Sequence, residues 1–316
     1  MTFGEAIGRT LNAGEFCYLA AATDAGPHLT PMVFVRSDDA IWVTTSRTSV
    51  KARAWRRDPV VGGVVRDGDE TVAFRGRART YDLLDADTWQ RSLENAPAVT
   101  RASVRFTRKN ARFFAGYAVD ARRVPLAWTP PGRVFVEVRL ERTALIRRGD
   151  VVDAWKRDAA EEPESKTSFR SVRTADALEA LPGHIRRDLG EDGTGALAVD
   201  ADDGPVVVPA RWRADDGRLH ALVAIDVLRL ASVGTGQRAA VVMDRPSWWR
   251  ARRMLGCMVQ GDADVFVSSR VASGARSLAA AIARAGGEPD RDALVRMRPA
   301  RVVWWEGWTS GSGAVG

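Results

Sequence analysis

An internal repeat is the feature of this sequence that most constrains its fold. Residues 19–34 align without a gap with residues 197–212, at an offset of 178 positions. The two segments share their turn and proline positions, which pair Asp24 with Asp202, Gly26 with Gly204, Pro27 with Pro205 and Pro31 with Pro209. Gly76 and Gly261 pair at an offset of 185, so we expect seven extra residues in the second copy, around 248–254. Because 316 residues suffice for two ordinary domains, the repeat predicts two copies of one fold.

Each copy has the sequence pattern of a small antiparallel β-barrel. In the first copy, apolar and β-branched runs are separated by Asp, Gly and Pro, which favour tight turns. These runs predict strands at 17–23, 28–35, 41–45, 60–65, 71–81 and 134–146, a short helix at 49–57 and a helical stretch at 85–114. The last helix and strand of the second copy are expected at 277–285 and 293–305. Since six such strands can close on themselves and remove exposed edges, we predict a mainly β (α+β) fold with two tandem six-stranded antiparallel split β-barrels.

The segment between the copies has the composition of a linker. Residues 157–166 are polar and include a proline. We therefore predict a first domain at 1–156, a linker at 157–173 and a second domain at 174–316, which opens with a helix at 174–189.

Composition narrows the classes of partner. The net charge of +7 would suit a nucleic-acid partner, but only four of the 47 basic residues are lysine, and an arginine-rich composition is also typical of GC-rich genomes. We predict no nucleic-acid function. No apolar run approaches the roughly 20 residues that cross a bilayer, and no export signal is recognisable, so we expect no membrane association and a cytoplasmic location. Cys17 and Cys257 lie in apolar strand-like segments, which argues against a disulfide or a metal site.

Four segments of the first copy, in their order and spacing, carry a family resemblance. They are the strand at 26–34, the strand end at 42–46, the turn and helix at 47–53, and the strand and turn at 58–62. Together they resemble the pyridoxamine 5′-phosphate oxidase-like split-barrel family, which includes flavin- and deazaflavin-dependent oxidoreductases. In that family the cofactor lies in a groove at a dimer interface, with its phosphate near the strand-to-helix turn.

The resemblance implies a set of cofactor-binding residues. By position, Arg47, Ser49 and Lys51 would hold the phosphate, and Thr30 and Pro31 would lie along the flavin ring. Thr45 and Ser46 add hydroxyls at the same turn, and Arg75 lies on the strand where the family often places polar cofactor contacts.

The chemistry of the turn supports this implication independently. A helix that starts near Ser49 presents unpaired N–H groups and the positive end of its dipole, both favourable to a phosphate. Arg47 can form two parallel hydrogen bonds, and Lys51 can supply a point charge. On the turn alone, however, Ser49 also suits a simple helix cap and Lys51 a solvated helix face.

The second copy departs from this pattern. At the offset of 178, Arg47 becomes Ile225, Ser49 becomes Val227 and Lys51 becomes Arg229. We therefore expect one working groove, in which the second barrel takes the place of a partner subunit, so that the chain is a monomeric pseudo-dimer or forms a homodimer. The tryptophans at 248, 249, 304, 305 and 308 are candidates for stacking on a ring, although clustered tryptophans are more often core.

These observations predict an FMN-binding oxidoreductase that acts on a small organic substrate. The sequence contains no nucleophile elbow, Walker loop or dinucleotide fingerprint, so no catalytic residue is assigned. Two alternatives stay open: an F420-dependent reductase, and a non-catalytic carrier or sensor of haem or flavin. His28 could serve as a proton donor or haem ligand, but a plain strand histidine is the simpler interpretation.

Overall fold

The first half of the chain folds as a closed barrel with one added strand. The computed structural model describes residues 4–82, 84–85, 88–119, 132–154, 163–170, 175–215, 217–247 and 251–315. Seven antiparallel strands form the first sheet: β1 (Phe16–Ala21), β2 (His28–Ser37), β3 (Ala40–Ser46), β4 (Val60–Asp67), β5 (Glu70–Tyr81), β6 (Arg133–Arg147) and β7 (Asp150–Ala154). Their order is β3-β2-β1-β4-β5-β6-β7, and an additional β3–β6 pairing closes the first six strands into a barrel.

In the described part of the first half, five α-helices accompany this barrel. They are α1 (Glu5–Ala13), α2 (Val50–Arg57), α3 (Trp89–Glu94), α4 (Ala96–Lys109) and α5 (Ala111–Val119). The predicted helix at 49–57 is confirmed, with Ser49 as its N-cap. The single helical stretch expected at 85–114 is instead divided into three, with breaks at Asn95 and Asn110. Asparagine favours such helix ends because its side chain can bond to nearby backbone groups.

The second half repeats the same architecture. Its helices are α6 (Gly183–Leu189), α7 (Ile225–Ala231) and α8 (Ala275–Arg284), and its strands are β8 (Asp192–Ala201), β9 (Gly204–Asp215), β10 (Arg218–Ala224), β11 (Gln237–Arg245), β12 (Leu255–Phe266), β13 (Asp292–Glu306) and β14 (Thr309–Ala314). The order β10-β9-β8-β11-β12-β13-β14, with a β10–β13 closure, reproduces that of the first barrel. The predicted helix at 174–189 is wrong in extent, because a 3-10 turn at Ala177–Ala180 and Pro182 precede α6.

Strand register confirms the repeat residue by residue. Leu19 pairs with Thr30 in the first barrel, and Leu197 pairs with Val208 in the second, both at the offset of 178. Gly76 and Gly261 each follow a β-bulge at the same place in the ladder, at the offset of 185. The seven extra residues therefore fall in the β11–β12 connection.

The two barrels pack directly against each other through equivalent surfaces. Arg75 on β5 donates to the Asp203 carbonyl at the β8–β9 turn. Its counterpart in the second barrel, Gln260, donates from Nε2 to the Pro27 carbonyl at the β1–β2 turn over 2.9 Å. This reciprocity is the mark of an isologous interface, so the two halves form a pseudo-dimer.

Within the described residues, no helix has the length and hydrophobicity that a bilayer crossing requires.

Candidate functional site

A groove of about 910 Å³ lies between the barrels, near the upper end of the usual range for small-molecule sites. The first barrel contributes β2, β3, the β3–α2 turn and the start of β6. Helices α4 and α5 contribute a second side, and β13 with the turn to β14 contributes the side that belongs to the second barrel. We call this cavity the inter-barrel groove. It is the type of location that the family resemblance predicts.

The β3–α2 turn places a cluster of hydroxyls at one end of the groove. The Ser49 Oγ accepts a hydrogen bond from the Ala52 N–H over 3.2 Å and thereby caps α2. The Thr45 Oγ1 lies 3.0 Å from the Ser49 Oγ, and the Ser46 Oγ lies 3.2 Å from the Thr48 Oγ1. The groove thus receives the positive end of a helix dipole together with several hydrogen-bond donors, an arrangement suited to an anion.

Lys51 is the cation of this cluster. It is the second residue of α2, and its Nζ donates to the Thr30 Oγ1 on β2 over 2.9 Å. Burial, and then the neighbouring Arg133, lower its pKa to about 8. The ammonium is therefore held where it pays a desolvation cost that a bound anion would relieve. Thr30 also lines the groove, as does the adjacent Pro31.

Arg133 is a groove residue that sequence reasoning missed. It is the first residue of β6 and pairs with Ser46 across the β3–β6 closure of the barrel. Its Nε donates to the Thr44 Oγ1 over 2.9 Å, and its Nη2 donates to the Thr44 carbonyl over 2.7 Å. These bonds fix the guanidinium beside the hydroxyl cluster. Only the long-range closure reveals this position, since the two strands are more than 80 residues apart in sequence.

The polar end of the groove is electropositive. Lys51 and Arg133 both line it, and no Asp or Glu does so within the part of the chain that the structure describes. Burial, and then the positive charge of Arg133, lower the pKa of Lys51, so a negatively charged group at this end would favour its ammonium form. The groove is therefore prepared for a negatively charged group at this end.

The second barrel contributes three tryptophans to the groove, which we call the tryptophan wall. Trp304 and Trp305 lie near the end of β13, and Trp308 lies in the turn to β14; all three line the groove. Of the five candidate tryptophans, these three lie where stacking on a planar ring is geometrically possible. Trp248 and Trp249 lie outside the described residues.

His28 also lines the groove, at the start of β2. Burial, and then the positive charges of Lys51 and Arg301, lower its pKa to about 3. The imidazole is neutral at physiological pH, so it can donate or accept a hydrogen bond but carries no positive charge.

Two predicted binding residues lie elsewhere. The Arg47 guanidinium forms an ion pair with the buried Asp82 carboxylate at 2.6 Å, and Asp82 also binds Arg56. Arg75 binds Asp203 across the barrel interface. Neither arginine lines the groove, because each is drawn to a carboxylate that is distant in sequence. The other six predicted residues, Thr30, Pro31, Thr45, Ser46, Ser49 and Lys51, come together there.

The equivalent place in the second barrel has different residues and lies against a turn of the first barrel. Ala224 and Val227 replace Ser46 and Ser49, and Val227 is buried. Asp292 pairs with Ala224 where Arg133 pairs with Ser46, so an acid replaces the cation. A Cβ built on Gly149, in the β6–β7 turn of the first barrel, would lie only 3.1 Å from the Ala224 Cβ. The turn that corresponds to the tryptophan wall thus fills the position of a second groove.

Comparison with known proteins gives a family match for the first barrel. Residues 4–124 match the family model described as pyridoxamine 5′-phosphate oxidase. None of the curated proteins matches this chain. Similar solved structures include a FAD-binding protein from Mesorhizobium loti, with 18% identity over 46% of this chain and 94% of its own and a TM-score of 0.33. A conserved hypothetical protein from Mycobacterium tuberculosis has 25% identity over 47% and 87%, with a TM-score of 0.34. An F420 reductase has 20% identity over 45% and 98%, with a TM-score of 0.30.

Proposed function

Since the first barrel matches the pyridoxamine 5′-phosphate oxidase family and the second repeats its topology, the chain belongs to that split-barrel family as a tandem duplicate, and we propose that it is a flavin-dependent oxidoreductase. In this proposal FMN occupies the inter-barrel groove, and the substrate is a small organic molecule. One observation carries it: a single groove joins an electropositive, hydroxyl-rich end to a wall of three tryptophans.

Each part of the groove has a role in holding such a cofactor. Ser49, Thr45 and the start of α2 offer hydrogen bonds to a phosphate, and Lys51 and Arg133 offer charge. The strand at Thr30 and Pro31 and the tryptophan wall offer surfaces for a planar ring. When bound, a flavin supplies the hydride chemistry, so the protein needs only to position the ring and exclude water.

The cofactor assignment is tested by reconstitution. The purified chain is titrated anaerobically with FMN, FAD, F420 and haem in separate experiments, and binding is followed by absorbance and by flavin fluorescence. We expect FMN to bind most tightly. Tighter binding of F420 or haem would assign that group, and not FMN, as the cofactor. If none of the four bound, the proposal would be refuted.

The site is tested with a pair of matched variants. Lys51→Ala removes the cation at the polar end, while Arg229→Ala removes the residue at the same position of the second barrel, where Arg229 pairs with Asp226 instead. We expect Lys51→Ala to weaken FMN binding roughly tenfold to a hundredfold, which is the usual cost of losing a charged hydrogen bond. Arg229→Ala is expected to leave the affinity unchanged. Equal losses of FMN affinity in the two variants would show that FMN binds outside the inter-barrel groove.

Turnover separates an enzyme from a carrier. The FMN-loaded chain is photoreduced and mixed with a panel of organic electron acceptors, and reoxidation is compared with that of free reduced FMN. Faster reoxidation by one acceptor class supports an oxidoreductase. Reoxidation that is slower than that of free FMN with every acceptor indicates a carrier or sensor.

A further inference from the structure

The first barrel has a helical addition that the second barrel lacks. The connection from β5 to β6 spans residues 82–132, whereas the equivalent connection from β12 to β13 spans only 267–291. The longer connection contains α4 and α5, which form one side of the inter-barrel groove. This side is therefore specific to the copy that carries the polar end.

The groove-facing side of α4 carries no charge, although the helix is basic. Ser103, Phe106 and Thr107 line the groove, at the i, i+3 and i+4 spacing of one helix face. The Thr107 hydroxyl donates to the Ser103 carbonyl over 3.0 Å, so its proton is already used within the helix. The exposed Arg101 and Arg105 are not among the residues that line the groove.

Four phenylalanines make this side a continuous aromatic surface. We call it the aromatic pocket; its members are Phe106, Phe113, Phe114 and Phe135. The ring centroids of Phe106 lie 5.9 Å from Phe114 and 5.7 Å from Phe135, and those of Phe113 and Phe114 lie 6.3 Å apart. Phe135 in turn contacts Trp42 behind it at 4.9 Å. Such mutual packing fixes the rings, so the surface is rigid before any ligand arrives.

We propose that the aromatic pocket is the substrate subsite of the inter-barrel groove and selects uncharged, planar, apolar molecules. This inference rests on the proposed function, because the cofactor occupies the polar end and a second molecule must bind beside it. Within the described residues, the aromatic pocket offers no acid for a cationic substrate and no cation for an anionic one. An anionic substrate would lose its hydration there without compensation, and a cationic one would meet Lys51 and Arg133 in the same groove. A planar apolar ring instead gains contact with the aromatic faces.

Two probes with one ring system and different charge test the proposal. The FMN-loaded chain is titrated by calorimetry with 2-acetylnaphthalene, which is neutral, and with 2-naphthoate, which is anionic. We expect the neutral probe to bind at least tenfold more tightly. Equal affinities, or tighter binding of 2-naphthoate, would overturn the selectivity that we infer.

Variants of α4 and α5 locate the subsite. Phe114 is only partly buried, so Phe114→Ala is expected to fold and to weaken 2-acetylnaphthalene binding about tenfold without changing FMN retention. Ser103→Arg adds a cation to the groove face of α4 and should shift the preference toward 2-naphthoate. Val104→Arg adds the same charge at an exposed α4 position outside the groove and should leave it unchanged. A shift with Val104→Arg as large as with Ser103→Arg would show a non-specific effect of charge and overturn the assignment.

FMN retention on the same samples separates this inference from the proposed function. A chain that retains FMN but binds both probes alike overturns the subsite and leaves the cofactor proposal intact. A chain that binds 2-acetylnaphthalene selectively, with sensitivity to Phe114→Ala, but never retains FMN supports the aromatic pocket and refutes the cofactor proposal.

Discussion

Lys51 shows how one residue can couple cofactor binding to pH. Its pKa of about 8 in the empty chain means that the ammonium begins to lose its proton just above neutral pH. A bound phosphate favours the charged form and raises that pKa, so proton loss and phosphate binding oppose each other. In the proposed function, Lys51 is therefore both a ligand of the phosphate and the group that makes its binding depend on pH.

We predict that FMN affinity is constant between about pH 7 and 8, where the FMN phosphate is already dianionic, and falls as the pH rises from about 8 toward the higher pKa of the bound state. Lys51→Met should abolish this decline, because methionine has no proton to lose. The measurement is a fluorescence titration of FMN at intervals from neutral to alkaline pH. Without FMN, Lys51→Met should also raise the thermal midpoint of the chain at pH 7, because it removes a partly desolvated charge. A higher midpoint would show that any loss of FMN affinity in this variant does not result from misfolding. A decline that persists in Lys51→Met would assign the pH dependence to another group.

At the same scale, sequence predicted the contiguous part of the site and missed the rest. Ser49 and Lys51 were identifiable because the cap and the cation lie only two residues apart at the start of one helix. Arg133 was not, because only the β3–β6 pairing brings it to Ser46. Sequence also could not predict that Arg47 and Arg75 lie outside the groove. Each forms an ion pair with a carboxylate, Asp82 or Asp203, and no local sequence pattern links it to that partner.

At the scale of elements, the close approach of β4 and β9 is a contact that the internal repeat does not predict. Gly62 on β4 has no side chain, and a Cβ at this position would overlap the Pro205 carbonyl oxygen on β9. Backbone atoms cannot yield as a flexible side chain can. The absence of a side chain at Gly62 is thus a condition for docking the two barrels.

We predict that Gly62→Ala lowers the free energy of unfolding by about 1–3 kcal/mol, the usual cost of overpacking a tight contact. Gly183→Ala is the matched control, because a Cβ at Gly183 meets nothing within 4 Å. Urea denaturation of both variants measures the difference. A loss of less than about 0.5 kcal/mol for Gly62→Ala would show that the barrels separate without cost at this point.

Turn residues made most strands predictable from the sequence, whereas the last strand of each sheet lacks such a signal. The Gly-Pro pair at 26–27 recurs at 204–205 and marks the first hairpin of each barrel, so the repeat predicted the same hairpin in both copies. The seventh strand of each sheet was missed. The segment Thr309–Ala314 contains two glycines and no alternation of apolar residues, and it is a strand because it pairs with the exposed edge of the long β13.

At the scale of the whole molecule, duplication without symmetry is the central property of this chain. Both halves keep the barrel and the reciprocal interface, but among the described residues the polar end of the groove is built by the first half alone. The equivalent place in the second half has lost its hydroxyls, carries Asp292 in place of the cation, and lies against the turn at Gly149. In the function that we propose, one half holds the anionic end of the cofactor and the other half supplies the tryptophan wall.

We therefore predict one FMN per chain of 34.4 kDa, and a chain that is monomeric when loaded. Equilibrium titration gives the number of sites, and light scattering after size-exclusion chromatography gives the mass. Two sites per chain would contradict the assignment of the polar end to the first half alone. A mass of twice 34.4 kDa with one FMN per chain would show that the loaded chain is a homodimer and not a monomeric pseudo-dimer. The prediction of one FMN site per chain would still hold.

The joint between the barrels also contains a buried acid whose charge depends on pH. The Tyr18 hydroxyl of the first barrel donates to the Asp244 Oδ1 of the second over 3.1 Å. Burial raises the pKa of Asp244 from 3.8 to about 6, and this effect outweighs the opposing influence of Tyr18, Arg66 and Arg245. The folded chain therefore takes up a proton at this site at a higher pH than the unfolded chain does. The stabilisation associated with that proton is complete below pH 3.8 and is lost as the pH rises through about 6.

We predict that Asp244→Asn raises the free energy of unfolding by roughly 2–3 kcal/mol at pH 7.5, where the wild-type carboxylate is charged, and by much less near pH 4. Asparagine keeps an acceptor for the Tyr18 hydroxyl and removes the charge that burial penalises. Asp262→Asn, at a half-exposed carboxylate on the neighbouring strand, controls for the loss of one negative charge. The test is urea denaturation of both variants and the wild type at the two pH values. A gain of equal size at both would mean that packing, and not the ionisation of Asp244, limits the stability of the joint between the barrels.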